Sequence, residues 1–483
     1  MPGNLKEKIL SNLIWRFAER CGAQLVAFVV SVVLARMLEP GLYGTVALMS
    51  VFIAIVQVFV DSGLGNALIQ KKDADDLDFS SVFYTNIVVC LLMYALLFVL
   101  SPCIAKFYDD LTMVSMIRVL GLTVIISGIK NVQQAYVSRH LLFKKFFYST
   151  LTGTICAGIV GVVMAYKGFG AWALVAQQIT NTFIDTLVLW ITVKWRPIRK
   201  FSIQRMKQLF SFGWKLLASS LIDVGYNNLR SLIIGKIYTS ADLAYYDKGE
   251  RLPTMVISNI NTSIDSVILP VMSKEQNDRI RVKEMLRRSI KVSIYVLAPC
   301  MMGLFFVADF FIKVLLTEKW IDSVFFMRIF CITLMFWPVH NANLNAIKAV
   351  GRSDIFLKLE IIKKVIGIVL LVSTMRISVK AMALSMLVAT VTSLILNIHP
   401  NKELLDYGLK EQLCDIIPSI ILATLMGCIV YPIKWIEMPM IIVLIVQIIT
   451  GIIIYIIGSR IFKIEAFYFL WDMIKPFVYK ERS

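Results

Sequence analysis

The stretch NLIWRFAERCGAQLVAFVVSVVLARMLEPGLYG, residues Asn12–Gly44, decides the class of fold. It is a hydrophobic run long enough to cross a bilayer. Yet its first third reads Trp15-Arg16-Phe17-Ala18-Glu19-Arg20, and it closes in the turn Leu38-Glu39-Pro40-Gly41-Leu42-Tyr43-Gly44. At about 100° per residue, Arg16, Arg20, Gln24 and Ser31 fall within about 80° of one helix face, and apolar residues cover the rest. About 200 residues on, Trp214-Lys215 opens a similar stripe that continues through Ser219, Asp223, Tyr226 and Arg230. An intramembrane charge costs about 2.5–3.5 kcal/mol on insertion scales, so such residues face a bundle interior or a watery cavity. Two polar stripes at equivalent places in two halves predict a central cavity that handles charge.

The rest of the chain has the same character. Of 483 residues, 58% are hydrophobic and 17% charged, with mean hydropathy +0.75. No soluble domain of this size has that composition, so the chain reads as a polytopic membrane protein. The first span carries charges and no small-residue cleavage site follows a short apolar core, so no cleaved signal is expected. The eight cysteines are scattered without a CxxC, which argues against a disulfide framework or a metal site. His140, His340 and His399 are isolated. A net charge of +18 would suggest nucleic acid for a soluble protein; here it is assigned to basic loops, and no nucleic-acid partner is expected.

About fourteen apolar segments of spanning length can be placed: 13–37, 44–69, 80–104, 113–136, 147–166, 171–193, 210–235, 251–272, 290–309, 325–348, 357–376, 380–398, 415–433 and 439–460. With the N-terminus inside, about 30 Lys and Arg fall in cytoplasmic segments and about 11 outside. The densest loops are Lys194–Lys207 and Lys274–Arg288. Both termini are therefore expected in the cytoplasm. The tail Phe462–Tyr479 mixes Ile464, Phe467, Tyr468, Leu470, Trp471 and Ile474 with charges, as in a helix lying in the membrane interface.

A duplication organises the spans. Trp15-Arg16 matches Trp214-Lys215, Gly41-Leu42-Tyr43-Gly44 matches Ala244-Tyr245-Tyr246-Asp247, and Lys71 matches Lys274. Further on, Arg118-Val119-Leu120 matches Arg328-Ile329-Phe330, Asn131 matches Asn341, and Phe143-Lys144-Lys145 matches Phe356-Leu357-Lys358. The expected fold is all-α: two pseudo-symmetric six-helix bundles around a central cavity, residues 1–200 and 201–400, followed by two further transmembrane helices and the interfacial tail in 401–483.

Three stretches carry a family resemblance: Ala35-Arg36-Met37-Leu38-Glu39-Pro40-Gly41-Leu42-Tyr43-Gly44, Leu243–Pro253, and Arg328 leading to Gly351-Arg352-Ser353-Asp354. With them the chain resembles the Wzx/WzxC-type polysaccharide flippases of the multidrug/oligosaccharidyl-lipid/polysaccharide exporter (MOP) superfamily over nearly its whole length. The motifs are turn and helix-start patterns rather than a catalytic signature. The resemblance implies a bacterial inner-membrane protein that moves undecaprenyl-diphosphate-linked oligosaccharide, a lipopolysaccharide or exopolysaccharide repeat unit, to the periplasmic face by alternating access. It implies no cofactor beyond a coupling H⁺ or Na⁺. Its partners would be the lipid-linked oligosaccharide, membrane lipids and the polysaccharide polymerase machinery.

The residues fit such a substrate. Guanidinium forks suit phosphate oxygens, so Arg16, Arg20 and Lys215 are the expected entry-side clamp, with Arg230 and Arg251 on the exit side. Interhelical salt bridging or snorkelling is the alternative for these cations. Glu19, Asp61, Asp223 and Asp265 would neutralise the cations when the site is empty or carry the coupling ion; structural pairing is the alternative. Gln24, Gln177, Asn181 and Asn341 are candidates for sugar hydroxyls, and Gln178, Asp185, His340, Asn343 and Asn345 beside them could hydrogen-bond sugar as well; helix–helix glue is the alternative for these polar clusters. Pro253, Pro270 and Pro338 are expected hinges or breaks.

No catalytic residues are expected. A multidrug or cation exporter of the same superfamily would want a smaller, more acidic site. A polymerase or ligase of glycan assembly would want a sizeable external loop. There is no GxxxxGK phosphate loop, so this chain is not expected to hydrolyse ATP.

Overall fold

A computed structural model describes the backbone of residues 2–61, 63–275 and 278–479, and side chains from 15 to 475 apart from 17, 62, 212, 259–271, 276, 277, 473 and 474. The chain is all-α. Its helices are α1 (Pro2–Met37), α2 (Pro40–Asp61), α3 (Leu64–Gln70), α4 (Asp76–Phe107), α5 (Met113–Arg139), α6 (Lys144–Tyr166), α7 (Ala171–Thr192) and α8 (Ile203–Ile237). They continue as α9 (Ser240–Lys274), α10 (Arg279–Leu316), α11 (Ser323–Met335), α12 (Trp337–Ala349), α13 (Ser353–Thr374), α14 (Val379–Leu405), α15 (Leu409–Val430), α16 (Met440–Ile461) and α17 (Glu465–Tyr479). All fourteen expected spans fall on these helices.

Ten stretches among the described residues are long and apolar enough to cross a membrane. The other four expected spans lie on α7, α8, α9 and α13. Of these, α7 carries Gln177, Gln178, Asn181 and Asp185, α8 carries Lys215, Asp223 and Arg230, and α13 carries Lys358, Glu360, Lys363 and Lys364. Three of the four are thus spans with polar residues along them, while α9 contains residues 259–271, whose side chains lie outside the described set. On α16 the pattern is that of lipid contact: Ile441, Ile445, Ile448, Ile452 and Ile456 are exposed, while Val443, Gln447, Gly451, Tyr455 and Gly458 are buried. The protein is a multi-pass membrane protein.

Two spans expected as single helices are broken. Span 44–69 divides into α2 and α3 at Gly63, whose φ of 68° is a conformation open to glycine. Span 325–348 divides into α11 and α12 at Phe336, because Pro338 has no N–H to continue the ladder and its ring meets the carbonyl four residues back. Pro253, by contrast, sits within continuous α9, and the side chain of Pro270 lies outside the described residues.

The chain divides into two compact units, Met1–Ala244 and Tyr245–Ser483. In the first, α6 packs between α1 and α7, α5 lies against α4 and α7, and α8 packs on α2, α3 and α4. One end is locked by charge. Asp75 and Asp78 form a capping box at the start of α4, and buried Asp78 also accepts from Lys71 at 2.7 Å. Arg205 pairs with Asp75 at 2.5 Å. Arg139 caps the end of α3, donating to the carbonyls of Leu68, Lys71 and Lys72. Beneath lies an aromatic core of Phe79, Phe83, Tyr136, Trp190 and Trp195. In the second unit α10 is central, with α11, α12, α15, α16 and α17 against it.

The duplication is visible in local geometry, unit by unit. Helix α1 ends at Met37 and α2 begins at Pro40; α8 ends at Ile237 and α9 begins at Ser240. Leu38 N donates to Leu34 O and Tyr238 N to Ile234 O, both at 2.9 Å. The repeat offset here is therefore 200, and Gly41–Gly44 corresponds to Ala241–Ala244. The sequence match had followed the tyrosines and placed the counterpart three residues too late.

At the end of α5, Leu142 N donates to Val137 O and Leu141 N to Ser138 O; at the end of α12, Arg352 N donates to Ile347 O and Gly351 N to Lys348 O. These are the same Schellman cap at an offset of 210, with left-handed Leu141 (φ 55°) standing where Gly351 (φ 81°) stands. Phe143 therefore corresponds to Ser353, not Phe356. Arg118 and Arg328 also keep one role at this offset. Arg118 Nε donates to Ser101 Oγ at 3.0 Å with its guanidinium over Phe98, and Arg328 Nη2 reaches Asp309 Oδ2 at 2.7 Å over Phe305.

Candidate functional site

The polar start of α1 is held by α6. The Arg16 guanidinium bonds Glu19 at 2.7 Å and lies 4.9 and 4.8 Å from the rings of Phe143 and Phe146. Thr150 Oγ1 donates to Glu19 at 3.4 Å. Trp15 packs edge-on against Phe147 with Lys144 Nζ over its own ring. Arg16 and Glu19 are thus brought together as a pair one turn apart, the pairing that a helix of period 3.6 allows. Arg20 is exposed, and among the described residues it has no carboxylate or hydrogen-bond partner. Gln24, partly buried on the next turn, is already engaged.

A second polar cluster surrounds the break between α2 and α3. Asp61 is the last residue of α2, and Asn131 Nδ2 of α5 donates to its Oδ1 at 3.0 Å. A Cβ added at Gly63 would lie 2.7 Å from Gly213 O and 3.1 Å from the Leu216 side chain. The break therefore seats against the turn of α8 that carries Lys215. On the preceding residue of α5, Lys130 Nζ bonds Asp185 Oδ2 of α7 at 2.9 Å. Partly buried Gln177 and exposed Asn181 lie two turns and one turn before Asp185 on α7. A Cβ added at Gly153 would lie 3.2 Å from Asn181 Oδ1, so α6 borders the same cluster.

On α8, Lys215 is exposed and has no ion pair among the described residues, whereas exposed Asp223 is engaged. The Nε of Arg230 is buried, and among the described residues it has no hydrogen-bond partner. Such a donor is held ready for an acceptor, since leaving it unmade costs about 1–3 kcal/mol.

In the second unit Arg251 pairs with Asp247 at 2.8 Å. Lys248, between them, is buried with its Nζ 5.6 Å from the Trp320 ring. Asp265 lies outside the residues whose side chains are described. Asn341 is partly buried and engaged. Its neighbour Asn343 is fully buried in a network with Gln412 of α15 and Asn401 of α14, at 2.7–2.9 Å. His340 joins the same interior through Asn397 at 3.3 Å.

Sequence reasoning missed Lys130, Asp309, Asn397, Asn401 and Gln412. A lone lysine in the middle of span 113–136 was the available signal for the first. Among the described residues no group of three or more His, Cys, Asp or Glu could hold a metal. What the described residues offer is recognition of anions and polar groups: a guanidinium and an ammonium on the two stripes with no partner among them, the Arg230 Nε donor, likewise unpaired among them, and amide side chains along α7.

A family model described as polysaccharide biosynthesis protein matches residues 33–325. The chain is 28% identical over 306 residues to the teichuronic acid biosynthesis protein TuaB of Bacillus subtilis (strain 168), covering 62% of each chain. It is 22% identical over 362 residues to the lipopolysaccharide biosynthesis protein WzxC of Escherichia coli (strain K12), covering 74% of each. The alignment thus spans under two thirds of TuaB. In fold the chain is similar to the lipid II flippase MurJ in an inward closed conformation, with TM-score 0.74, 14% identity, and coverage of 94% of this chain and 98% of that one. It is also similar to an inward-facing multidrug resistance MATE family transporter of the MOP superfamily, with TM-score 0.61, 14% identity, and coverage of 81% and 98%.

Proposed function

The chain belongs to the polysaccharide biosynthesis protein family, and from that premise we propose that it is a lipid-linked oligosaccharide flippase. The cargo is an undecaprenyl-diphosphate-linked repeat unit, moved from the cytoplasmic to the periplasmic leaflet of a bacterial inner membrane. Both termini lie in the cytoplasm, as the distribution of Lys and Arg among the loops suggests. The observation that carries the reading is the fold likeness to a lipid II flippase over 94% of the chain, combined with relatives named for the biosynthesis of teichuronic acid and lipopolysaccharide.

The chemistry follows from what each residue has to spare. Arg20 and Lys215, both exposed and without partners among the described residues, receive the diphosphate. Arg16 is held by Glu19 while the site is empty and exchanges that carboxylate for phosphate. Arg230, with its orphaned Nε, and Arg251, released from Asp247, take the phosphate on the exit side. Gln24, Gln177, Asn181 and Asn341 meet sugar hydroxyls. Two bundles, 1–200 and 201–400, rock about the cavity, with 401–483 appended. No bond of the substrate is broken, so the protein is not an enzyme and takes no cofactor. Net direction comes from an H⁺ or Na⁺ gradient acting through Asp61, Asp223 or Asp265, or from consumption of the product by the polymerase machinery.

The test is reconstitution into liposomes with a fluorescent undecaprenyl-diphosphate oligosaccharide, scoring leaflet reversal. Wild-type protein is expected to flip the lipid. Arg20→Ala and Lys215→Ala are each expected to weaken it about 10- to 100-fold, the loss of one charge-assisted hydrogen bond of about 1.5–3 kcal/mol. Protein that ignores such lipids and exports cationic dyes would replace this reading with the drug exporter. Protein that elongates the glycan would replace it with an enzyme of glycan assembly.

A further inference from the structure

On helices other than those that carry the polar stripes, the start of α10 and the first two turns of α17 border a cleft of about 780 Å³ within the second unit. Its α10 wall carries Arg281, Glu284, Arg288 and Lys291, which share one helix face at spacings of three, four and three. Arg287 lines its edge, and Glu465, Tyr468 and Phe469 supply the α17 wall. Four cations face two carboxylates, so the cleft is net positive.

Most of that charge is spent. Arg281 bonds Glu275 at 3.1 Å and Asp278 at 3.4 Å. Arg287 forks onto Asp415 at 2.7 and 2.9 Å, and Lys291 bridges Asp415 and Glu465. Arg288 is different. Its guanidinium carbon lies 3.8 Å from the Phe469 ring centroid, and among the described residues no carboxylate lies within 4.0 Å of it and no acceptor takes its N–H groups. Glu284 one turn away does not pair with it. Stacking fixes the plane of a guanidinium and leaves its in-plane donors for a ligand.

The depth of the cleft names the ligand. Helix α16 ends at exposed Ile461 and Phe462, and α17 follows at once. Tyr468 and Trp471 are exposed on α17, and Phe467 and Trp471 stack with their ring planes 19° apart, in the manner of aromatic anchors at a membrane–water boundary. On α10 the apolar span begins at about residue 290, immediately after Arg288. A cation held at that level meets lipid phosphate. We propose that the α10–α17 cleft is a site for the headgroup of an acidic phospholipid, with Arg288, oriented by Phe469, as its phosphate ligand. The cleft shares no residue with the proposed transport site, and the proposal does not rest on the transport reading.

The test is native mass spectrometry of the purified full chain in detergent, titrated with phosphatidylglycerol, with phosphatidylcholine, and with inorganic phosphate as competitor. Wild-type protein is expected to retain phosphatidylglycerol several-fold more than phosphatidylcholine, and excess inorganic phosphate is expected not to displace it. Exposed Arg288 tolerates glutamine, and Arg288→Gln is expected to cut the preference about fivefold, the worth of one basic residue at an anionic surface. Lys313→Gln, outside the cleft, keeps it. Equal retention of the two lipids by wild-type protein overturns the proposal, whatever the variants do. So does displacement by inorganic phosphate, which marks a soluble-phosphate site, or an equal loss in both variants, which marks net charge alone.

Discussion

Lys130 of α5 and Asp185 of α7 meet in the interior of the first unit, Nζ to Oδ2 at 2.9 Å, with side chains only 16% and 14% exposed. Neither charge can be stranded there cheaply. Lys130→Met or Asp185→Asn alone leaves the other charge without its counterion, and each is expected to cost about 3–5 kcal/mol. The double substitution Lys130→Met with Asp185→Asn removes both charges and is expected to return most of that loss. Thermal unfolding in detergent checks it: additive losses in the double variant would mean the two residues do not act as a pair.

Gly44 is required by backbone approach. A Cβ at this position would lie 1.6 Å from the carbonyl oxygen of Ser240, where α2 passes the turn between α8 and α9. Nearby, Gly235 of α8 accommodates Leu48 of α2 in the same seam, 2.8 Å from its own would-be Cβ. Gly44→Ala is therefore expected to destabilise by about 3 kcal/mol and to lower the yield of folded protein. Gly41→Ala meets only the Ser240 hydroxyl at 3.5 Å, and its helix propensity gain makes it neutral to slightly stabilising. Matched unfolding midpoints for the two variants would show that α2 does not approach Ser240 as described.

Hydropathy made the spans legible, because a helix of about 20 apolar residues is a local property of the sequence. Pro338 announced the break in one span for a local reason too, its missing N–H. The break at Gly63 was hidden, since a glycine inside an apolar run reads as helix packing until its φ is known. Ion pairs were the least legible. Lys130 and Asp185 are 55 residues apart and Arg287 and Asp415 are 128 apart, and helical periodicity says nothing about which faces meet. The α1 stripe shows the same limit: periodicity put Arg16 and Arg20 on one face, but only packing assigned the Phe143 and Phe146 rings and Glu19 to the first and left the second without a partner among the described residues.

The start of α13 carries a pH signature. The Arg352 guanidinium holds the Asp354 carboxyl at about 2, well below the usual carboxylate range, at a site that precedes the expected span 357–376. Because the folded value is depressed, the contribution is fully present above the unfolded value of about 4 and fades as pH falls through about 2. The midpoint difference between wild type and Asp354→Asn is expected to be constant from neutral pH to about 5, to shrink below 4, and to vanish near 2. The pair is exposed, so the difference should also shrink in high salt. A gap that widens with acid would refute the pairing.

Asn343 decides between two readings of the amide-rich stretch after Pro338. Its Nδ2 donates to Val339 O and Gln412 Oε1, and its Oδ1 accepts from Asn401 and Gln412, so every donor and acceptor of the amide is used. A saturated, fully buried amide has nothing left for a sugar hydroxyl, which leaves Asn343 as a tie between α12, α14 and α15. Asn343→Leu strands the Gln412 and Asn401 side chains and is expected to cost about 1–3 kcal/mol, at the upper end of what interhelical hydrogen bonds supply in a membrane. The triple change Asn343→Leu, Asn401→Leu, Gln412→Leu removes all the partners together and is expected to fall within about 1 kcal/mol of wild type. Transport per folded molecule should be unchanged in the single variant. A loss of transport at full stability would instead put Asn343 in contact with the cargo.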